Sequence, residues 1–214
     1  RRVPLRERIA RFLSASRVEG DFVVRGDHFD VSAGGRSRVL ENPFLILRLF
    51  DLARSGQGTI EAALLDDIRE HGERLPADAF CTAEIGATFV NILSGPWTAR
   101  TLAARHRAHL LEKLIPAMAR VRGLKPFTLS HLFPIDEHGL LAVAKAEALS
   151  QDQGIIGTAY RAIPRKAVVH LALLLHDLGK GQDDDHSAVG KRIAEEMAAR
   201  LGFDESDRQI LVFL

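Results

Sequence analysis

The residues best suited to chemistry lie at the end of one strongly apolar stretch of the chain. His176 and Asp177 are adjacent, and Lys180 follows them after the apolar run at 167–175. Burying an imidazole and a carboxylate without a partner is costly. A divalent cation would satisfy both groups, because imidazole nitrogen and carboxylate oxygen together suit Mn, Fe, Zn or Mg. The pair therefore predicts a metal site at the end of a buried helix.

The apolar stretch has the signals of a central helix. Pro164 suits the first turn of a helix, where its missing N–H costs nothing. Gly179 and Gly181 favour termination of a helix. Between these residues almost every side chain is apolar, so no polar face remains for water. This pattern predicts a buried helix rather than an amphipathic surface helix.

Two further histidines lie on the apolar stripes of neighbouring predicted helices. Successive helical residues turn by about 100°, which places His138 on the apolar side of the helix predicted at 135–149. The same spacing places His186 on the apolar side of the helix predicted at 186–201. Either histidine alone is well explained as a hydrogen-bonded core residue. Combined with the His-Asp pair on the helix between them, they predict a converging metal site.

The rest of the chain predicts an all-α protein with one small β-hairpin. Asn42-Pro43 is a strong helix start, a capping residue followed by a first-turn proline. Within residues 21–31, two β-prone runs flank a Gly-Asp turn, which predicts the hairpin. Residues 151–158 are polar and contain glycine, which predicts a flexible connection. Further helices are predicted at 5–13, 59–72, 76–93, 97–114 and 205–214, and residues 116–122 are predicted as helix or turn.

Composition narrows the classes of function. Hydrophobic residues make up 46% and charged residues 27% of the 214-residue chain, as in ordinary globular proteins. A net charge of +1 gives no reason to expect a nucleic acid or an anionic membrane as partner. The single cysteine, Cys81, excludes an internal disulfide and fits a reducing compartment. No apolar run reaches membrane-spanning length, so we predict a cytoplasmic protein.

Three short motifs contain the candidate metal ligands. They are Ile135-Asp136-Glu137-His138, Leu175-His176-Asp177-Leu178-Gly179-Lys180-Gly181 and Asp185-His186-Ser187. These motifs resemble the HD superfamily of metal-dependent phosphohydrolases. More narrowly, they resemble the HD domain of the bifunctional PII uridylyltransferase/uridylyl-removing enzymes. Residues 22–31 and 41–50 are similar to the segment that follows the nucleotidyltransferase domain in that family.

The resemblance implies a reaction and a set of site residues. The reaction is hydrolysis of a phosphodiester, which releases UMP from a uridylylated PII-type signalling protein as part of nitrogen regulation. The implied divalent metal is Mn²⁺ or Mg²⁺, with Fe or Zn as alternatives. Its implied ligands are His138, His176, Asp177 and His186. Asp177 and Lys180 are the catalytic candidates, and His131 is a candidate for substrate binding.

Lys180 and the acidic neighbours of His138 have alternative interpretations. Lys180 would hold the developing charge of the phosphate, or it would only complement the dipole at the helix end. Asp136 and Glu137 lie off the His138 stripe, and we interpret both as solvated or salt-bridged. Gly139 and Pro134 stand where the family prefers threonine.

The resemblance also predicts how the chain is organised. Residues 1–115 would form a helical linker region that follows an absent nucleotidyltransferase domain. Residues 116–214 would form an HD-type domain that continues beyond Leu214, where a further metal ligand is expected. Two other functions stay open: an HD phosphohydrolase that acts on a small nucleotide, and a catalytically silent regulatory module whose metal site is lost.

Overall fold

The computed structural model describes residues 16–125, 133–180 and 185–214. The α-helices are α1 (Arg36–Leu40), α2 (Pro43–Ser55), α3 (Ala62–Arg74), α4 (Ala83–Ser94), α5 (Thr98–Arg107), α6 (Leu111–Leu114), α7 (Ala117–Val121), α8 (Ile135–Ala148), α9 (Ile155–Ala162), α10 (Lys166–Leu175), α11 (His186–Arg200) and α12 (Glu205–Phe213). The strands are β1 (Ser16–Glu19), β2 (Phe22–Arg25), β3 (His28–Val31) and β4 (Thr59–Ile60). The predicted fold class, helical with a small β region, is confirmed.

The β region is larger than the predicted hairpin. Strands β2 and β3 form that hairpin, with Phe22 opposite Val31. Strand β1 extends it on one side, and β4 pairs in parallel with β3 on the other, giving the order β1-β2-β3-β4. The helix predicted to start at Thr59 is wrong at its beginning, because residues 59 and 60 complete the sheet and α3 starts at Ala62.

Capping residues explain where several helices begin. The side chain of Asn42 accepts hydrogen bonds from the backbone N–H groups of Phe44 and Leu45, so α2 starts where predicted. The flexible connection predicted at 151–158 is wrong, since α9 begins within it. There, Asp152 accepts hydrogen bonds from the N–H groups of Gly154 and Gly157, both 3.0 Å long.

Two predicted helices are interrupted. The helix predicted at 97–114 breaks at His109, whose φ of 57° lies in the left-handed region, and it continues as α6. The helix predicted at 76–93 is a 3₁₀ turn, Ala77–Phe80, followed by α4, which the Thr82 side chain caps. In both places a local change of backbone conformation alters the direction of the next helix. The spacing of apolar residues alone does not reveal such a change.

Helix α10 lies at the centre of the molecule. It packs against α4, α8, α11 and α12. Val168, Leu171 and Leu174 are at most 1% exposed, so the predicted buried central helix is confirmed. One continuous hydrophobic core includes side chains from both sides of residue 115.

Across the described residues, every helix is too short or too polar to cross a lipid bilayer.

Candidate metal centre

Three of the predicted ligands come together where α8 and α10 meet. His138, His176 and Asp177 each offer one ligand atom, and these atoms lie within 4.8 Å of one another. The Oδ2 atom of Asp177 is 3.9 Å from Nε2 of His138 and 3.6 Å from Nε2 of His176. The two imidazole rings have centroids 5.2 Å apart. One carboxylate oxygen thus faces two imidazole nitrogens.

The end of α10 aims the adjacent residues at one point. His176 is the C-terminal cap of α10, and the chain continues as turns in which Leu178 donates to the Leu175 carbonyl and Lys180 to the Asp177 carbonyl. Leaving the regular helix lets neighbouring side chains converge, which a continuous helix would hold about 100° apart.

A hydrogen bond fixes the tautomer of His176. Its Nδ1 atom lies 2.8 Å from the carbonyl oxygen of Leu173. A carbonyl oxygen only accepts hydrogen bonds, so Nδ1 carries the proton in neutral His176. The lone pair is then on Nε2, the nitrogen that faces Asp177. Metal-ligating histidines are commonly oriented by such a bond from the other ring nitrogen.

A glycine allows α8 to approach α10 closely enough to bring His138 into the cluster. A Cβ atom at Gly139 would lie 3.0 Å from the backbone oxygen of Leu174. Such a contact is tighter than most Cβ contacts in proteins, so a side chain here would require the helices or Leu174 to shift by a few tenths of an ångström. Gly139 therefore has a packing role beside His138.

Lys180 binds the other oxygen of Asp177. The Nζ atom of Lys180 is 2.7 Å from Oδ1, while Oδ2 faces the histidines. Burial alone would raise the pKa of Asp177. The hydrogen bond from Lys180 and the electrostatic influence of His176, Lys180 and His138 outweigh burial and hold this pKa below its ordinary value. Asp177 is thus kept as a carboxylate, the form that binds a cation.

The donor set fits a divalent metal ion. Two imidazole nitrogens and a carboxylate oxygen are the ligands of many Zn, Fe and Mn sites. Separations of 3.6 and 3.9 Å between facing donor atoms are close to those between ligands of one ion with bonds of about 2.1 Å. His138 and His176 are partly exposed, with 39% and 35% of their side chains accessible, so an ion and a substrate can reach them.

One predicted ligand that the structure describes, His186, does not join this cluster. His186 was expected on the buried side of its helix, and this is wrong: its side chain is 68% exposed. The rest of its stripe is buried, with Val189 at 2% and Met197 at 3%. His186 is the first residue of α11, and its role as a ligand stays a prediction. His131 lies outside the described residues.

A buried polar network holds the start of α8. Asp136 is 2% exposed, and its Oδ2 atom lies 3.1 Å from Nε2 of His106. Its Oδ1 atom accepts a hydrogen bond from the N–H of Gly123. Arg122 donates to Nδ1 of His106 at 3.0 Å. Asp136 is therefore buried and hydrogen-bonded rather than solvated, whereas Glu137 is exposed.

No role was predicted for His106. The one signal in the sequence that could indicate its contact with α8 is Asp136, an acidic residue two positions before His138. Such a pair becomes visible only when α5 and α8 are placed side by side, because the two residues are far apart in the chain.

Comparisons with known proteins place the chain beside bifunctional uridylyltransferase/uridylyl-removing enzymes. The relative from Rhodospirillum rubrum is 30% identical over 215 residues, covering 96% of this chain and 22% of the relative. The relative from Azospirillum brasilense is 28% identical over 217 residues, covering 97% and 22%. The relative from Methylococcus capsulatus is 31% identical over 167 residues, covering 74% and 19%. No family model matches the chain.

These similarities support the family that the motifs resemble. The chain spans about a fifth of the length of these curated relatives. The relatives' name covers two activities, one that attaches a uridylyl group and one that removes it.

Proposed function

We propose that this chain carries a metal-dependent phosphodiesterase unit that removes UMP from a uridylylated PII-type signalling protein. The observation that carries the proposal is the cluster of His138, His176 and Asp177, whose donor atoms lie within 4.8 Å of one another. A site of imidazole and carboxylate ligands suits metal-assisted hydrolysis. The name of the relatives, uridylyl-removing enzyme, agrees with this direction of reaction.

The residues of the site have separable tasks. A divalent cation, Mn²⁺ or Mg²⁺ in first place, would polarise the phosphoryl oxygen and acidify a water molecule when bound. His138, His176 and Asp177 Oδ2 would hold it. Lys180 orients Asp177 through Oδ1, and its charge would stabilise the negative charge that develops on the phosphoryl group. The partly exposed histidines leave the site open to a tyrosyl-UMP group.

Release of UMP from a uridylylated PII-type protein tests the proposal. The purified protein is incubated with this substrate in Mn²⁺, in Mg²⁺ and with a chelator, and UMP is measured by chromatography. We expect release with metal, loss with chelator and loss in Asp177→Asn. The matched control is Asp66→Asn, which alters an exposed carboxylate on α3 outside the cluster and should leave release unchanged. Equal release by Asp177→Asn and the unaltered protein would refute the proposal.

A second candidate is a metal-binding module without turnover. It is favoured by the exposure of His186, which leaves three donors in the cluster formed by the described residues. This module would bind a stoichiometric metal ion yet release no UMP. The third possibility, hydrolysis of a small nucleotide, would show as phosphate release from nucleotides without activity on the uridylylated protein.

A further inference from the structure

A small cleft lies between the C-terminal end of α2, strand β4 and helix α5. It shares no residue with the His138 cluster among the residues that the structure describes. Phe50 and Ile60, 1% and 8% exposed, contribute its apolar lining. Trp97 also lines the cleft, and this residue is 41% exposed to solvent. An apolar lining beside a few polar groups is typical of small-molecule sites, and the exposed face of Trp97 lets a ligand lie across the mouth of the cleft.

All charged side chains that line the cleft are arginines. Among the described residues they are Arg54, Arg100 and Arg107. Arg54 is anchored, because it donates to Asp51 and to the carbonyl of Pro96. Arg100 and Arg107 are exposed. In a chain of net charge +1, the two exposed guanidinium groups at one cleft favour an anionic ligand.

A fourth arginine lies behind the apolar lining. Arg105 is fully buried, and its guanidinium carbon is 5.3 Å from the centroid of the Phe50 ring and 5.5 Å from that of Phe89. None of its three guanidinium nitrogens has a hydrogen-bond partner within the described residues. Buried charge is screened weakly, so Arg105 adds to the positive potential on the cleft side of Phe50.

Backbone strain is concentrated at the cleft. Trp97 has φ 63° and ψ 21°, and Gln57 has φ 55°, both in the left-handed region. Bulky residues avoid this region. Of the three non-glycine residues with positive φ in the described part of the chain, these two line the cleft. Strain of this kind persists where the surrounding structure imposes it, often at ligand sites.

Trp97 and Arg100 already form a flat platform. The guanidinium carbon of Arg100 is 5.9 Å from the Trp97 ring centroid, and Arg100 also donates to the carbonyl of Gln57. Indole rings offer a large face for stacking with another flat ring. Guanidinium groups match phosphate oxygens with two parallel hydrogen bonds. The cleft thus combines a surface for a flat ring with donors for a phosphate.

We propose that this cleft binds a nucleoside monophosphate, with the base against Trp97 and the phosphate held by Arg100 and Arg107. The site is separate from the metal centre, and the inference does not depend on the proposed hydrolytic function.

The fluorescence of Trp97 reports on the site directly, because Trp97 is the only tryptophan of the chain. The purified protein is titrated with UMP, AMP, uridine and inorganic phosphate, and calorimetry measures the same titrations. We expect saturable quenching by a nucleoside monophosphate, with binding weaker by about tenfold for uridine and phosphate, each of which lacks one of the two contacts. The absence of both quenching and binding heat with UMP and AMP would overturn the proposal.

Two variants separate this site from others. Arg107→Gln removes an exposed charge and should weaken nucleotide binding by about tenfold. Arg120→Gln, an exposed arginine on α7 that does not line the cleft, is the matched control and should bind normally. Asp177→Asn should also bind normally. Unchanged binding in Arg107→Gln, or loss of quenching in Asp177→Asn, would show that the nucleotide binds elsewhere.

Discussion

At the scale of single residues, Asp177 is the side chain on which the metal centre depends. It is 7% exposed and faces both histidines through one oxygen. Replacing it with asparagine keeps the shape of the side chain but removes the negative charge. We expect Asp177→Asn to lose bound metal while circular dichroism shows an intact helical fold. Elemental analysis of the dialysed protein gives the metal content.

Thermal melting provides a second measurement of the same change. A ligand that binds only the folded state stabilises it by about 2.7 kcal/mol at a hundredfold excess over its dissociation constant. Mn²⁺ should therefore raise the melting temperature of the unaltered protein and leave that of Asp177→Asn where it was. An equal rise in both proteins would exclude Asp177 as a ligand.

Replacing Lys180 tests whether metal binding and hydrolysis can be separated. A protonated amine has no lone pair for a metal ion, so Lys180→Ala should retain metal at saturating concentration. We expect hydrolysis to slow by about a hundredfold, the usual effect of losing one charge-stabilising donor. If Lys180 only complements the helix dipole, stability falls by about 0.3–1 kcal/mol and turnover stays. Lys191→Ala, on the exposed side of α11, is the control for both measurements.

At the scale of helices, the close approach of α8 to α10 depends on Gly139. Replacing glycine by alanine within a helix is normally worth up to about 1 kcal/mol of stability. Gly190 in α11 has open space around it and should show this gain as Gly190→Ala. At Gly139 the added methyl group would lie 3.0 Å from the Leu174 oxygen. Gly139→Ala should therefore destabilise the protein and weaken metal binding.

Urea denaturation of the two alanine variants, with metal titration, decides this prediction. An equal gain in stability for Gly139→Ala and Gly190→Ala would mean that the helices separate without cost.

Sequence patterns located most helices because their signals are local. Asn42 and Pro43 mark the start of α2, and the apolar run identifies α10 as the central helix. The missed helix α9 begins at a cap made by Asp152, in a stretch whose polar composition resembles a loop. The break at His109 comes from a positive φ at one residue, which leaves no periodic signal.

The site was partly predictable for a related reason. His176 and Asp177 were identified because their polarity conflicts with the burial of their helix, and His138 because it lies on an apolar stripe. The same stripe argument failed for His186, since a first-turn residue has no packed neighbour on the preceding turn. Arg105 and the cleft were not predicted, because a fully buried arginine contradicts the ordinary preference of that residue for the surface.

At the scale of the whole molecule, one core joins the two predicted domains. The carboxylate of Glu147 in α8 accepts hydrogen bonds from the N–H groups of Thr98 and Ala99, at 2.9 and 3.0 Å, and so caps α5. Apolar side chains from both sides of residue 115 share the core. Packing of this kind couples the unfolding of the parts that it joins. The domain boundary at residue 115 rests on the resemblance to the family. It stays a prediction, because side chains from both sides of it pack in the same core.

A buried histidine makes the stability of this shared core depend on pH. His170 is 1% exposed; its Nδ1 atom is 2.7 Å from the Leu93 carbonyl, and its Nε2 atom is 2.8 Å from the Tyr160 hydroxyl. The carbonyl requires a proton on Nδ1, and Nε2 then accepts from the hydroxyl, as neutral imidazole does. Burial lowers the pKa of His170 below 6.5, although the Leu93 carbonyl and the charge of Glu147 oppose this effect.

Because the folded pKa lies below 6.5, the unfolded chain takes up this proton first as the pH falls. The stability contributed by neutral His170 is therefore complete above about pH 6.5 and is lost below it, with a slope of up to about 1.4 kcal/mol per pH unit. His170→Gln removes the titrating group, so the free energy of unfolding, measured by urea denaturation between pH 7.5 and about 5, should fall less steeply. Tyr160→Phe retains the imidazole and should lower stability while keeping the slope. If His170→Gln and the unaltered protein lose stability in parallel as the pH falls, the pH dependence belongs to other groups. The first of these to replace is His106, whose pKa is also lowered by burial and by Arg122.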